Sequence, residues 1–135
     1  MAKRDSYKDD LAESIAIISI YTPGDTPNDF CRRSSIKKCL YLCFHDIGNR
    51  DSTGLPMMQS DANKVADFVN WCVENEIKEL WVHCDAGVSR SAGVAAAIMK
   101  FLTGDDSEIY DNPYHRPNSH CYTLTLQTLL EKAEK

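Results

Sequence analysis

The chain has 135 residues, with 20 acidic against 15 basic side chains and a net charge of −5 when histidine is neutral. That length makes one domain, residues 1–135, with room for a proper core, and the acidic balance argues against a nucleic-acid or anionic-membrane partner held by overall charge. The longest apolar run, Ile15 to Ile20, is far too short to span a bilayer, and Met1-Ala2-Lys3-Arg4-Asp5 leads into acids rather than a signal core, so a cytoplasmic protein is expected.

Residues 1–12 are polar and read as a tail. From Ser14 to Ile20 the density of β-branched residues implies a buried strand, ended by Thr22-Pro23-Gly24. A polar loop follows, in which Arg32 and Arg33 read as a solvated pair rather than a substrate contact. Ile36 to Phe44 holds a second apolar run and reads as another strand. It runs into His45-Asp46-Ile47-Gly48-Asn49-Arg50-Asp51, an exposed loop of the kind in which function concentrates.

From Gln59 to Glu74 the residues Val65, Phe68, Val69, Cys72 and Val73 form one apolar face at helical spacing, with Ser60 or Asp61 as the expected cap. Leu80 to His83 is a third strand. An alanine-rich helix over Arg90 to Phe101 should be ended by Thr103-Gly104, a short turn or helix is expected over Asp106 to Tyr110, and the closing helix is expected from Tyr122 to Lys135. Strands alternating with helices predict an α/β fold, a central and mainly parallel twisted sheet with helices on both faces.

Six cysteines, Cys31, Cys39, Cys43, Cys72, Cys84 and Cys121, fall at irregular spacings with no C-x-x-C pair, so reduced thiols are expected. Neither His83-Cys84 nor His120-Cys121 has zinc-ligand spacing, and a Gly-Lys-Ser/Thr nucleotide loop is absent. No metal and no cofactor is expected.

The junction between the third strand and its helix carries the chemistry. Asp85, Ala86, Gly87, Val88 and Ser89 separate Cys84 from Arg90. A loop of that length, curling into a helix start, can aim its N–H groups at one point, where the positive end of the helix adds to the field. Gly87 eases that convergence. Such a nest holds a phosphate-sized dianion, and Arg90 offers a planar fork to two of its oxygens. Cys84 at its mouth is expected to be a thiolate, the nucleophilic form, and Ser91 a hydroxyl donor to that sulfur.

These residues, His83-Cys84, five residues, Arg90-Ser91, resemble the signature of the cysteine-dependent protein tyrosine phosphatases, and Ala86 to Ser91 is most similar to the dual-specificity branch, in the style of small bacterial members. The resemblance implies a phosphatase-like fold with a phosphate-binding loop between strand and helix. It also implies hydrolysis of phosphotyrosine, with phosphoserine and phosphothreonine as further substrates, through a phosphocysteine intermediate. Such chemistry needs a carboxyl group over the cradle to protonate the leaving group and later activate water. Asp46, Asp51 and Asp61 are the candidates. Phe44-His45-Asp46-Ile47 resembles the family's acid-bearing junction, but Asp46 precedes Cys84 by 38 residues and Asp51 by 33, the latter nearer the family's separation. Asp46 is taken as the acid, an insertion in the loop after the strand accounting for its longer separation, with Asp51 as the alternative. Asn118 resembles the Pro-Asn that precedes the last helix in many such enzymes and steadies the phosphate loop, though a plain turn asparagine reads equally well. His83 is expected to be a hydrogen-bonding support.

Asp85, directly after the nucleophile, opposes the field of Arg90 and counts against very acidic substrates. There is little sequence in which to build a deep phosphotyrosine slot, so a shallow pocket is expected. The implied partner is a phosphorylated protein, with no nucleic acid and no membrane, acted on by a monomer. Two rival readings stand beside it: a phosphatase acting on a non-protein ester such as an RNA 5′-phosphate, phosphoinositide or nucleotide, and a non-catalytic phosphopeptide-binding module.

Overall fold

The computed structural model describes residues 14–26, 36–47, 54–84 and 89–134. The polar tail, the Arg32-Arg33 pair, Asp51 and the loop positions Asp85, Ala86, Gly87 and Val88 lie outside the described residues. Among the described residues, three strands, β1 (Ile15–Tyr21), β2 (Ile36–Cys43) and β3 (Glu79–His83), and four helices, α1 (Gln59–Glu74), α2 (Arg90–Thr103), α3 (Ser107–Tyr110) and α4 (Ser119–Ala133), follow in the expected alternation.

The sheet runs β2-β1-β3 and both pairings are parallel. A parallel sheet needs cover on both faces, which explains the near-continuous apolar run of β1. Ala16, Ile18 and Ile20 enter the main core with Leu42, Val65, Phe68 and Val69, Val94 and Ile98, and Leu129. The alternate residues Ile15, Ile17 and Ser19 are buried as well, so neither face of the central strand meets water. Because all three strands point the same way, the chain leaves β2 and β3 at one common end of the sheet. That end is where open α/β sheets bind ligands.

Several expected details are corrected. Val73 is exposed rather than part of the α1 face. The N-cap of α1 is Met58; Asp61 supports it from inside the first turn by accepting the Met58 N–H at 2.9 Å. The closing helix begins at Ser119, a turn earlier than expected, because Asn118 caps it by accepting the Cys121 N–H at 2.9 Å. A cap fixed the start where apolar periodicity had not yet begun.

The slimness of α2 lets it lie close to α4. A Cβ at Gly93 would stand 2.6 Å from the Asn118 carbonyl oxygen and 3.1 Å from Cys121 Cβ, and a backbone atom has little freedom to retreat. Gly93→Ala should therefore lower unfolding free energy by about 1–3 kcal/mol, the usual range for overpacking. Urea denaturation followed by circular dichroism measures it, and an unchanged midpoint would show that the two helices separate easily.

Candidate active site

Cys84 follows the last residue of β3, and Ser91 sits in the first turn of α2. The strand aims the sulfur at the helix start. The Cys84 thiol donates to Ser91 Oγ at 3.2 Å, and the sulfur accepts the Ser91 backbone N–H at 3.4 Å. Cys84 is only 2% exposed, yet its sulfur makes these two polar contacts at the positive end of a helix dipole.

Arg90 opens α2 and is 7% exposed, so its guanidinium is turned inward. Nη1 donates to the Phe44 carbonyl at 2.7 Å, which ties the cation to the chain just beyond β2. A buried guanidinium requires acceptors, and Phe44 supplies one of them two residues before Asp46.

Asp46 is brought to the same place. Its Oδ1 accepts from Ser89 Oγ at 2.7 Å and from Asn118 Nδ2 at 2.8 Å. Asn118 donates again to the Ile47 carbonyl at 3.4 Å, and its own N–H donates to the Ser89 carbonyl at 3.0 Å while its Oδ1 caps α4. Asn118 is thus more than a turn residue: it joins the Asp46 loop, Ser89 at the start of α2 and the last helix. Ser89 is the N-cap of α2, but it makes no side-chain cap bond, because its hydroxyl is directed to Asp46. Of the acid candidates, Asp46 reaches the loop that ends in Arg90. Asp61 is occupied with its own helix N-terminus.

His83 ends β3 in register with Ser19. Cys121, the third residue of α4, is wholly buried near this cluster and was missed by sequence reasoning. Burial pushes its thiol up to about 12, with the charges of Asp46, Cys84 and Asp61 adding to the rise and Arg90 opposing it. Cys72, beneath α1, is pushed up to about 11 by burial, with Lys38 pulling the other way. Among the described residues no three His, Cys, Asp or Glu side chains gather as a metal site would, and no helix is long and apolar enough to cross a membrane.

No family model matches the sequence, and no curated protein matches it. Solved structures do. A human tyrosine phosphatase-like serine/threonine/tyrosine-interacting protein is 19% identical with a TM-score of 0.54, the match covering 88% of this chain and 76% of that one. A mouse putative dual specificity phosphatase, solved with zinc tungstate, is also 19% identical, with a TM-score of 0.59 and coverage of 91% and 77%. The fold is that of the cysteine-dependent phosphatases. PTPMT1, solved in complex with PI(5)P, shares it at 17% identity and a TM-score of 0.56, over 88% of this chain and 78% of that one. The phosphatase-like fold expected from Cys84 to Ser91 is therefore present.

The two raised thiols make stability depend on alkaline pH. A thiol whose proton is held more tightly in the fold than in the unfolded chain, where it titrates near 9.0, adds stability in full below pH 9 and loses it as pH rises towards 11 and 12. Unfolding free energy should fall across pH 9 to 12, and Cys121→Ala should flatten that fall. Denaturation midpoints of the two proteins across this range measure the difference; parallel curves would overturn the assignment.

Proposed function

We propose that the chain is a phosphatase that hydrolyses phosphate monoesters through a phosphocysteine on Cys84, with phosphotyrosine in proteins as the substrate class. The observation that carries the reading is the convergence of the Cys84 sulfur, the buried Arg90 guanidinium and the Asp46 carboxylate at one end of the sheet. Its fold is shared with proteins described as dual specificity phosphatase and tyrosine phosphatase-like.

In the first step the Cys84 thiolate attacks phosphorus, an S–P bond forms and the P–O bond to the leaving group breaks. The role proposed for residues 85–89 is to hold the phosphoryl oxygens with backbone N–H groups, and that for Arg90 is to add its guanidinium charge. Asp46 protonates the departing oxygen. Its Oδ1 already accepts two donors, and no donor among the described residues engages Oδ2, so the transferable proton belongs on Oδ2. In the second step water attacks phosphorus, Asp46 takes its proton back, the S–P bond breaks and phosphate leaves. Ser91, whose hydroxyl lies against the sulfur, turns to donate to the thiolate in both steps. Asn118 and Ser89 hold the acid, and His83 supports the loop from β3.

Exposed Leu55, paired through its backbone with His45, offers apolar surface beside the acid for an aryl ring. The likeness to PTPMT1 bound to PI(5)P favours a second reading, a phosphatase acting on a non-protein ester. Turnover of phosphotyrosine, phosphoserine and phosphothreonine peptides, measured beside phosphoinositides and nucleotides, decides between them. A chain that binds phosphopeptide without releasing phosphate would be a binding module instead.

Cys84→Ser should abolish phosphate release while preserving tungstate binding, and retained turnover would reject the covalent path. Asp46→Asn should lower kcat on phosphotyrosine peptide by roughly 10²- to 10⁴-fold, the usual contribution of a general acid, and much less on an activated aryl phosphate.

A further inference from the structure

The residue before Asp46 makes a contact that the reaction above does not use. His45 Nδ1 accepts the Leu55 N–H at 2.9 Å, and the His45 N–H donates to the Leu55 carbonyl at 2.6 Å. The two residues are ten apart in sequence, so the pair closes the loop that leaves β2 with Asp46 and returns ahead of α1. The Ile47 N–H adds a bond to the His45 carbonyl at 3.0 Å, wrapping the backbone around Asp46 itself. Because Nδ1 is the acceptor, the ring proton of the neutral imidazole lies on Nε2.

Gly54 completes the clasp. A Cβ there would stand 2.8 Å from His45 Nδ1, 3.1 Å from Cγ and 3.2 Å from Ile47 Cδ1. The imidazole therefore lies close against a backbone with no side chain to lift it. Asp46 is exposed and held on the other side by Ser89 and Asn118 through a single oxygen, which leaves its carboxyl group free to swing about that point unless its own backbone is fixed.

We infer that His45 is a positioning residue: seated on Gly54 and accepting the Leu55 N–H, it fixes the backbone of Asp46 so that Oδ2 faces the leaving-group oxygen. The inference rests on the proposed phosphatase reading and adds to it a residue that touches neither substrate nor nucleophile. Misplacing a reacting group by about 1 Å is enough to lose roughly 10²-fold in rate, whereas a leaving group that departs without a proton is indifferent to where the acid stands.

The test compares kcat/KM, which reports the first chemical step, on phenyl phosphate and on 2,4-dinitrophenyl phosphate. His45→Ala should lose roughly 10- to 100-fold on phenyl phosphate and about twofold or less on the dinitrophenyl ester. His45→Asn, whose amide oxygen can accept the same N–H, should recover most of the loss. Gly54→Ala, which displaces the ring without removing it, should follow His45→Ala. In an Asp46→Asn background, His45→Ala should add nothing, since both changes act on one group. Equal losses on the two esters, no recovery in His45→Asn, or full additivity with Asp46→Asn would each overturn the inference while leaving the phosphatase reading intact. Absence of turnover by the unsubstituted chain would overturn that reading, and the inference with it.

Discussion

Ser89 is the residue on which the site turns, because it gives up the role its position invites. A serine at a helix N-terminus ordinarily accepts an N–H of the first turn with its own oxygen. Here the hydroxyl donates to Asp46, while the carbonyl accepts the N–H groups of Gly93 and Asn118 at 2.9 and 3.0 Å. The start of α2 is left without a side-chain cap, and its Ser91 N–H turns to the Cys84 sulfur instead. The same residue binds the acid loop to the last helix. One side chain thus ties the Asp46 carboxylate to the start of α2.

The sheet makes that placement possible. Parallel strands deliver Phe44 and Cys84 to one end, with β1 between them. The bond from Arg90 to the Phe44 carbonyl spans 46 positions of sequence and that of Ser89 to Asp46 spans 43. Core burial, at roughly 25 cal/mol per Å² of apolar surface, holds the strands in register, and the few polar bonds at their ends then need only choose among side-chain arrangements. A net hydrogen bond of about 1 kcal/mol suffices for that choice and would not suffice to assemble the strands.

What the sequence shows follows from how local each feature is. Cys84, Arg90 and Ser91 are legible because strand, loop and helix adjoin, and the N–H of Ser91 meets a sulfur only seven residues away. Asp46 is less so. Counting residues back from Cys84 favours Asp51, the Phe44-His45-Asp46 junction favours Asp46, and the contacts that hold Asp46 come from Ser89 and Asn118, 43 and 72 residues distant. Asn118 carried a readable sign, a cap residue after proline ahead of a helical run, but its bond to the acid depends on α4 packing against α2 at Gly93. The clasp of His45 on Gly54 leaves no periodic or compositional trace, since a glycine in a loop reads as a turn whatever lies above it.

Burial alone does not tell the thiols apart. Cys72, Cys84 and Cys121 are all buried, and desolvation by itself disfavours every thiolate. Cys72 lies on the core face of α1 and Cys121 inside the first turn of α4, where its N–H is already taken by Asn118; both thiols are held neutral through the physiological range. Cys84 differs in direction rather than depth. It directly follows the end of β3 and faces a helix start without a side-chain cap, where its sulfur meets the Ser91 N–H and hydroxyl. Two of these thiols lie within helices that run past them, and the third stands between the end of a strand and the start of a helix, the position on which the proposed chemistry depends.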